Sequence, residues 1–105
     1  MRYIFDIDDT ICQNSEIGKY EKATPKKEMI VWLKKLYEEG NEIIICTGRG
    51  SVTGIDQEEL TKKQLKDWGV KYHKLIFVKK PRAYLYVDDK CCTPEEFLER
   101  MKNNG

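Results

Sequence analysis

Four short runs of apolar residues, each followed by polar or charged residues, constrain the fold of this chain most strongly. They are YIFDI at residues 3–7, EIIIC at 42–46, KLIFV at 74–78 and AYLYV at 83–87. β-branched and aromatic residues dominate the runs, and the second is almost uninterrupted, which is typical of strands buried on both faces of a parallel sheet. We therefore predict four strands of one sheet.

Helical patterns occupy the segments between these runs. Thr24 and Pro25 predict an N-cap and a first helical position, and Gly40 predicts the end of that helix. Its apolar positions recur at helical spacing, at Met29, Ile30, Leu33, Leu36 and Tyr37. A second helix is predicted over residues 56–68, with Gly69 as its stop and a weaker apolar side formed by Leu60, Leu65 and Trp68.

The last helix begins in the sequence CTPEEFLERM. Thr93 is its predicted cap, Pro94 its first position and Glu96 the reciprocal partner in a capping box, with Phe97, Leu98 and Met101 facing inward. This order of elements predicts an α/β fold, a three-layer α/β/α sandwich around a mostly parallel, Rossmann-like sheet. The link between the third and fourth predicted strands, residues 79–82, is the only connection too short for a helical crossover. An irregular loop is therefore expected there.

The residues that follow the predicted strands are polar or charged in every case: DIDDT, CTGRG, KKP and DDK. In open α/β sheets, ligands bind beyond the carboxyl ends of the strands. Asp6 and Asp8 lie two positions apart and can face one crevice there, where one carboxylate can attack phosphorus and the other can carry a proton. Asp88 and Asp89 add the hard oxygen ligands that suit Mg²⁺.

Two further strand endings suit the same chemistry. Thr47 can donate a hydroxyl hydrogen bond to a phosphoryl oxygen, although an ordinary exit from strand to loop is the alternative for Thr47 and Gly48. A lysine, Lys80 or Lys79, can balance the accumulated negative charge. These residues together point to phosphate chemistry.

The ordered set of motifs resembles the haloacid dehalogenase superfamily. FDIDDT resembles its first motif, IIICTGR its second, KKP its third and YLYVDD its fourth, in the family's order over residues 3–89. The chain is most similar to small members without a cap domain, including those associated with capsule or surface-polysaccharide loci. One departure is Asp9, where many phosphatases of the family carry glycine.

The resemblance implies a Mg²⁺-dependent phosphatase. Asp6 would be the nucleophile, and Asp8 would protonate the leaving alkoxide and then activate the hydrolytic water. Asp8 must then hold a proton part of the time near neutral pH, which neighbouring carboxylates and partial burial favour. The metal would be held by Asp6, the backbone carbonyl of Asp8, Asp88 and Asp89.

The resemblance also implies the groups that steady the phosphoryl group. Thr47 and Lys80 would do so, Lys80 being preferred to Lys79 because it directly precedes proline. Thr10, Gly48 and Arg49 are predicted to bind substrate, with an exposed loop arginine as the alternative for Arg49.

The chain of 105 residues is predicted to be a single domain, residues 1–105. Residues 11–24 and 48–56 are too short for a folded cap, so the resemblance implies an open active site. Such a site suits a phosphate on a large carrier, or one that a neighbouring subunit of a homo-oligomer closes over. A sugar phosphate is the other predicted substrate.

Composition limits the remaining partners. Lys and Arg total 19 against 18 Asp and Glu, so bulk charge predicts neither nucleic acid nor a membrane surface as a partner. The apolar runs are far shorter than the roughly 20 residues of a spanning helix, and no signal-peptide pattern is present. The four cysteines fit no zinc spacing, and reduced thiols in a cytoplasmic protein are expected.

Three other functions stay open at this point, and one of them, phosphoryl transfer to an acceptor other than water, shares the same chemistry. A receiver-like phosphoacceptor domain also combines paired acids, a Thr or Ser and a Lys-Pro, but it carries its acceptor Asp at the third strand, where this chain has lysine. A catalytically silent binding module on the same fold is disfavoured because both Asp6 and Asp8 are present.

Overall fold

The described part of the chain contains a parallel sheet, a short antiparallel strand pair and three α-helices. The computed structural model describes residues 1–14, 19–49, 56–78 and 89–104. The strands are β1 (Arg2–Phe5), β2 (Cys12–Gln13), β3 (Thr24–Pro25), β4 (Glu42–Thr47) and β5 (Lys74–Phe77). The helices are α1 (Lys27–Glu38), α2 (Glu58–Asp67) and α3 (Pro94–Asn104), with a 3-10 helix at Tyr20–Lys22. In this part of the chain, β1, β4 and β5 form the parallel sheet in the order β1-β4-β5, and β2 pairs antiparallel with β3.

The predicted α/β class, with a parallel sheet flanked by helices, is confirmed. Three of the predicted strands occur with small shifts at their ends, and the predicted strand at 83–87 and loop at 79–82 lie outside the described residues. The first strand is shorter than expected because the Ile7 carbonyl accepts N–H bonds from Thr10, Ile11 and Cys12 at 3.1, 2.8 and 3.1 Å. The chain therefore turns directly after Asp6.

The start of α1 corrects the sequence prediction. Thr24 and Pro25 do not cap the helix but pair with β2, and the Thr24 hydroxyl donates to the Gln13 carbonyl at 3.4 Å. The helix begins at Lys27, and the Lys26 N–H donates to the Ile11 carbonyl at 2.8 Å. Tertiary pairing thus overrides the local helix-start pattern. Its predicted apolar face is confirmed, with Met29, Leu33 and Leu36 buried.

The other helix boundaries follow local chemistry. At α3 the Glu96 N–H donates to the Thr93 hydroxyl at 3.1 Å and the Thr93 N–H donates to the Glu96 carboxylate at 3.2 Å, which confirms the predicted capping box. These bonds from Thr93 lower the pKa of Glu96. Gly40 and Gly69 end α1 and α2 at φ values of 91° and 74°, a backbone region that favours glycine.

One buried cluster joins the sheet to all three helices. Phe5 of β1 meets Phe97 of α3 edge to face, with ring centroids 5.3 Å apart. Cluster members are Phe5, Ile7, Ile11, Cys12, Met29, Leu33, Leu36, Ile43, Ile45, Leu65, Val70 and Phe97. Alternate strand positions point away from it, since Ile4 and Ile76 are 64% and 41% exposed, so the predicted burial on both faces is wrong for β1 and β5. None of the helices described here is long and apolar enough to cross a membrane.

Candidate active site

Two neighbouring strands deliver Asp6 and Thr47 to the same edge of the sheet. β1 and β4 are parallel and hydrogen-bonded, with Phe5 opposite Ile45, so Asp6 and Thr47 follow at their carboxyl ends. The first two motifs therefore end at the same side of the sheet. Asp6 is half-buried and Thr47 is fully buried. The third strand ends at Phe77, and Lys79 and Lys80 lie outside the described residues.

The turn after β1 positions Asp8 and Asp9. Asp9 has φ 62°, in the left-handed region that glycine adopts most easily and that Asp tolerates among the other residues. Its carbonyl accepts from Lys26 Nζ at 3.2 Å, and its carboxylate accepts from the Asn14 N–H at 3.5 Å. The backbone at this position therefore explains why glycine is suited to it.

An ion pair between Asp8 and Arg49 joins this turn to the end of β4. Arg49 Nη2 donates to Asp8 Oδ1 at 2.8 Å, and Nε donates to Oδ2 at 3.0 Å and to Oδ1 at 3.3 Å. The Arg49 side chain is fully buried, whereas that of Asp8 is 23% exposed. Bidentate contact of this kind fixes the plane of a carboxylate. Asp8 is thus oriented by a cation that the sequence argument, which counted only neighbouring carboxylates, did not include.

Asn14 and Cys12 complete the surroundings of Asp8. Asn14 Nδ2 donates to Asp8 Oδ1 at 3.0 Å, and the Cys12 thiol lies 3.6 Å from the same oxygen. Cys12 Sγ also lies 3.9 Å from Arg49 Nη2. Most of these contacts fall on Oδ1, so Oδ2 is the less engaged oxygen of the Asp8 carboxylate.

Thr47 is linked to the same cluster through the backbone. Its hydroxyl oxygen accepts from the Arg49 N–H at 3.1 Å, which leaves the hydroxyl proton available to donate elsewhere. Arg49 itself is 4% exposed, so the exposed loop arginine considered as its alternative is wrong. Thr10 and Gly48 are half-buried beside these groups, and the substrate-binding roles of Thr10, Gly48 and Arg49 stay predictions.

A family model for haloacid dehalogenase-like hydrolases matches residues 3–72. The chain belongs to this family. The fold is similar to that of a crystal structure of an MCSG target protein from Vibrio cholerae, with a TM-score of 0.82 and 25% sequence identity over 97% of this chain and 94% of that one. The comparison with curated protein sequences gives no match.

The metal that haloacid dehalogenase-like hydrolases typically use can be tested against the oxygens present. Within the described ranges no group of three or more His, Cys, Asp or Glu side chains is placed to hold a metal ion. Asp89 is exposed before α3, and Asp88 lies outside the described residues. The hard oxygens at this end of the strands are the Asp6 carboxylate and the backbone carbonyl of Asp8, whose side chain is engaged by Arg49 and Asn14. Such a set fits Mg²⁺, which needs only one or two carboxylates beside waters and substrate phosphate.

Sequence reasoning missed the polar residues of α2 that contact Arg49. Thr61 and Gln64 are buried on the side of the helix that also carries Leu65 and the half-buried Trp68. Positions 61, 64, 65 and 68 share one helical face, so two buried positions on this face are polar. The weak apolar side predicted for this helix was the signal that could have identified a buried polar contact.

Cys12 is expected to resist alkylation in the native protein. Burial, followed by the charge of Asp8, raises the pKa of the Cys12 thiol to about 12, so only about one thiol in 10⁴ is ionised at pH 8. Iodoacetamide at that pH should modify the exposed Cys91 and Cys92 and spare Cys12, as followed by peptide mass spectrometry. The urea-unfolded protein is the control, in which all three should react, and rapid native modification of Cys12 would contradict the structure.

Proposed function

We propose that the protein is a phosphatase that hydrolyses phosphate monoesters through an aspartyl-phosphate on Asp6. The observation that supports this most is the convergence of Asp6, Thr47 and the oriented Asp8 at the carboxyl ends of two adjacent strands, in a chain of the haloacid dehalogenase-like family. Family membership also favours a hydrolase over the receiver-like phosphoacceptor.

The reaction requires two displacements at phosphorus. In the first, an Asp6 carboxylate oxygen attacks phosphorus in line, the bond from phosphorus to the ester oxygen breaks, and the leaving alkoxide takes a proton from Asp8. In the second, Asp8 removes a proton from water as that water attacks phosphorus. The Asp6–phosphorus bond then breaks, and inorganic phosphate and the free carboxylate result.

Arg49 makes the geometry of Asp8 suitable for this role. The guanidinium contacts both oxygens of the carboxylate, but Asn14 and Cys12 crowd only Oδ1. Oδ2 therefore carries fewer contacts than Oδ1 and is the oxygen assigned to proton transfer in this proposal. Because the pair is bidentate, rotation of the carboxylate during proton transfer is opposed.

Mg²⁺ would be held by the Asp6 carboxylate and the Asp8 carbonyl, with Asp88 and Asp89 as further proposed ligands. When bound, it neutralises charge that develops on the phosphoryl oxygens. Thr47 would donate its hydroxyl hydrogen to one of these oxygens, and Lys80 would add a positive charge beside them. Thr10 and Gly48 retain their proposed place around the substrate, whereas Arg49 acts through its contacts with Asp8.

The proposed substrate is a sugar phosphate or a phosphate on a large carrier. The similarity to small members without a cap, including those of capsule and polysaccharide loci, supports this class. So does the shortness of the segment between β1 and α1, where a 3-10 helix and the β2–β3 pair are the described structure. A neighbouring subunit that closes over the site is a further part of this proposal.

A panel of phosphate esters tests the proposed function. With Mg²⁺ the purified protein should hydrolyse an aryl phosphate and at least one of the sugar phosphates, nucleotides, phosphoglycolate-like acids or phosphorylated glycans. Activity should fall at least about tenfold in EDTA and return with added Mg²⁺. A folded, Mg²⁺-supplied protein that is inert towards the whole panel would overturn the phosphatase and favour the silent binding module.

A further inference from the structure

Arg49 contacts α2 with the part of its guanidinium that faces away from Asp8. Nη1 donates to the Thr61 hydroxyl at 3.2 Å and to Gln64 Oε1 at 2.5 Å. The Tyr20 ring lies over the guanidinium, 4.7 Å from its carbon to the ring centroid. With the bonds to Asp8, every nitrogen of the guanidinium is engaged. The orientation of Arg49 is therefore determined as much by α2 as by its charged partner.

Among the residues that contact Arg49 from α2, Gln64 has the more restrained side chain. Its Oε1 accepts from Arg49, and its Nε2 donates to the Tyr20 carbonyl at 2.6 Å. The reverse amide orientation would place N–H groups against the guanidinium and an oxygen against the carbonyl, so one orientation is strongly favoured. Gln64 is 8% exposed, which keeps competing water away.

The neutrality of Gln64 also matters for Asp8. A glutamine accepts from the guanidinium without offering a second negative charge, so the single positive charge of Arg49 is directed to the Asp8 carboxylate. A purely apolar residue at position 64 would leave an Arg49 N–H without this acceptor. Gln64 therefore accepts a hydrogen bond from Arg49 without adding a negative charge that would compete with Asp8.

We infer that Gln64 is a positioning residue for the proposed phosphatase reaction. Its amide links the Arg49 guanidinium to the Tyr20 carbonyl, and Arg49 in turn fixes the Asp8 carboxylate. Gln64 is buried and acts through another residue, so it affects the orientation of Asp8 and not substrate binding. This inference rests on the proposed function for its catalytic consequence.

Kinetics of Gln64→Leu test the positioning role. Loss of the acceptor should lower kcat about tenfold to hundredfold through misplacement of Asp8, while KM stays within about twofold. Gln57→Leu is the matched control, because Gln57 lies at the start of the same helix and makes no side-chain capping bond, and its kcat should match the wild type. Assays are run well below each variant's measured unfolding midpoint.

Gln64→Glu separates positioning from packing. It retains an acceptor for Arg49 Nη1 but adds the second negative charge that glutamine avoids, so its kcat should lie between those of Gln64→Leu and the wild type. A role in packing alone predicts the reverse order, because leucine is the better buried residue and glutamate adds a buried charge. That reverse order, or Gln64→Leu with wild-type kcat, would overturn the inference.

A readout independent of catalysis distinguishes failure of this inference from failure of the proposed function. The Nε–H of Arg49, donated to Asp8, should give a protected side-chain resonance in the ¹⁵N–¹H spectrum of the wild type. Gln64→Leu should shift this resonance or increase its solvent exchange, and Gln57→Leu should do neither. An unchanged resonance in Gln64→Leu would overturn the positioning role, whereas wild-type inertness towards phosphate esters would overturn the phosphatase and leave this result standing.

Discussion

Asp6→Asn is expected to lower phosphatase kcat by at least about 10³-fold, since a carboxamide cannot form the covalent intermediate. The substitution removes one negative charge from a half-buried side chain and preserves its shape. The Asp6 oxygen Oδ1 accepts from the Ile7 N–H at 2.8 Å, a bond that the amide oxygen can retain. The fold should therefore survive, and the thermal midpoint should change little.

Asp9→Asn is the matched control for this experiment. Asp9 undergoes the same substitution in the same turn, asparagine tolerates its positive φ, and its exposed carboxylate contacts only the Asn14 N–H among the bonds described here. Its kcat should stay within about threefold of the wild type, as expected for a surface substitution. When turnover of a phosphate ester is quenched with acid, mass spectrometry should find one extra phosphoryl group on the wild type and none on Asp6→Asn. Full activity in Asp6→Asn would exclude Asp6 as the nucleophile.

Arg49→Met is expected to lower both stability and activity. Removing the guanidinium leaves Asp8 without its cation, and Thr61 and Gln64 without a donor, in a site where Arg49 is fully buried. Breaking a buried ion pair costs about 3–5 kcal/mol, and the partial exposure of Asp8 reduces this to about 2–4 kcal/mol. We expect kcat to fall about 10²-fold because Asp8 loses its fixed orientation.

Urea denaturation provides the measurement, with Arg100→Met as the matched control. Arg100 is an exposed arginine of α3, so its loss should change the free energy of unfolding by no more than about 0.5 kcal/mol. In a double-mutant cycle, Asp8→Asn should cost less in the Arg49→Met background, with a coupling of about 1–3 kcal/mol. Strict additivity of the two substitutions would contradict the ion pair.

Local patterns were sufficient for much of the fold. Uninterrupted apolar runs predicted the strands of the parallel sheet, and Thr93 with Glu96 predicted the start of α3, because both depend on nearby residues. The start of α1 was not predictable in this way. Thr24 and Pro25 satisfy a helix-start pattern locally, but their pairing with β2 depends on a segment eleven or more residues earlier.

The candidate site was likewise predictable from the sequence only in part. The sequence alone determined that Asp6 and Thr47 lie at the ends of apolar strands, and parallel strands bring their carboxyl ends to one side of a sheet. Only the tertiary structure decided that Arg49 is buried against Asp8, 41 positions away, and that Gln64 holds it there. An arginine after a strand has the same local sequence whether it faces solvent or a carboxylate. The partners of Arg49 depend on the pairing of β1 with β4 and on the packing of α2. These bring polar groups that are distant in sequence together where water is excluded.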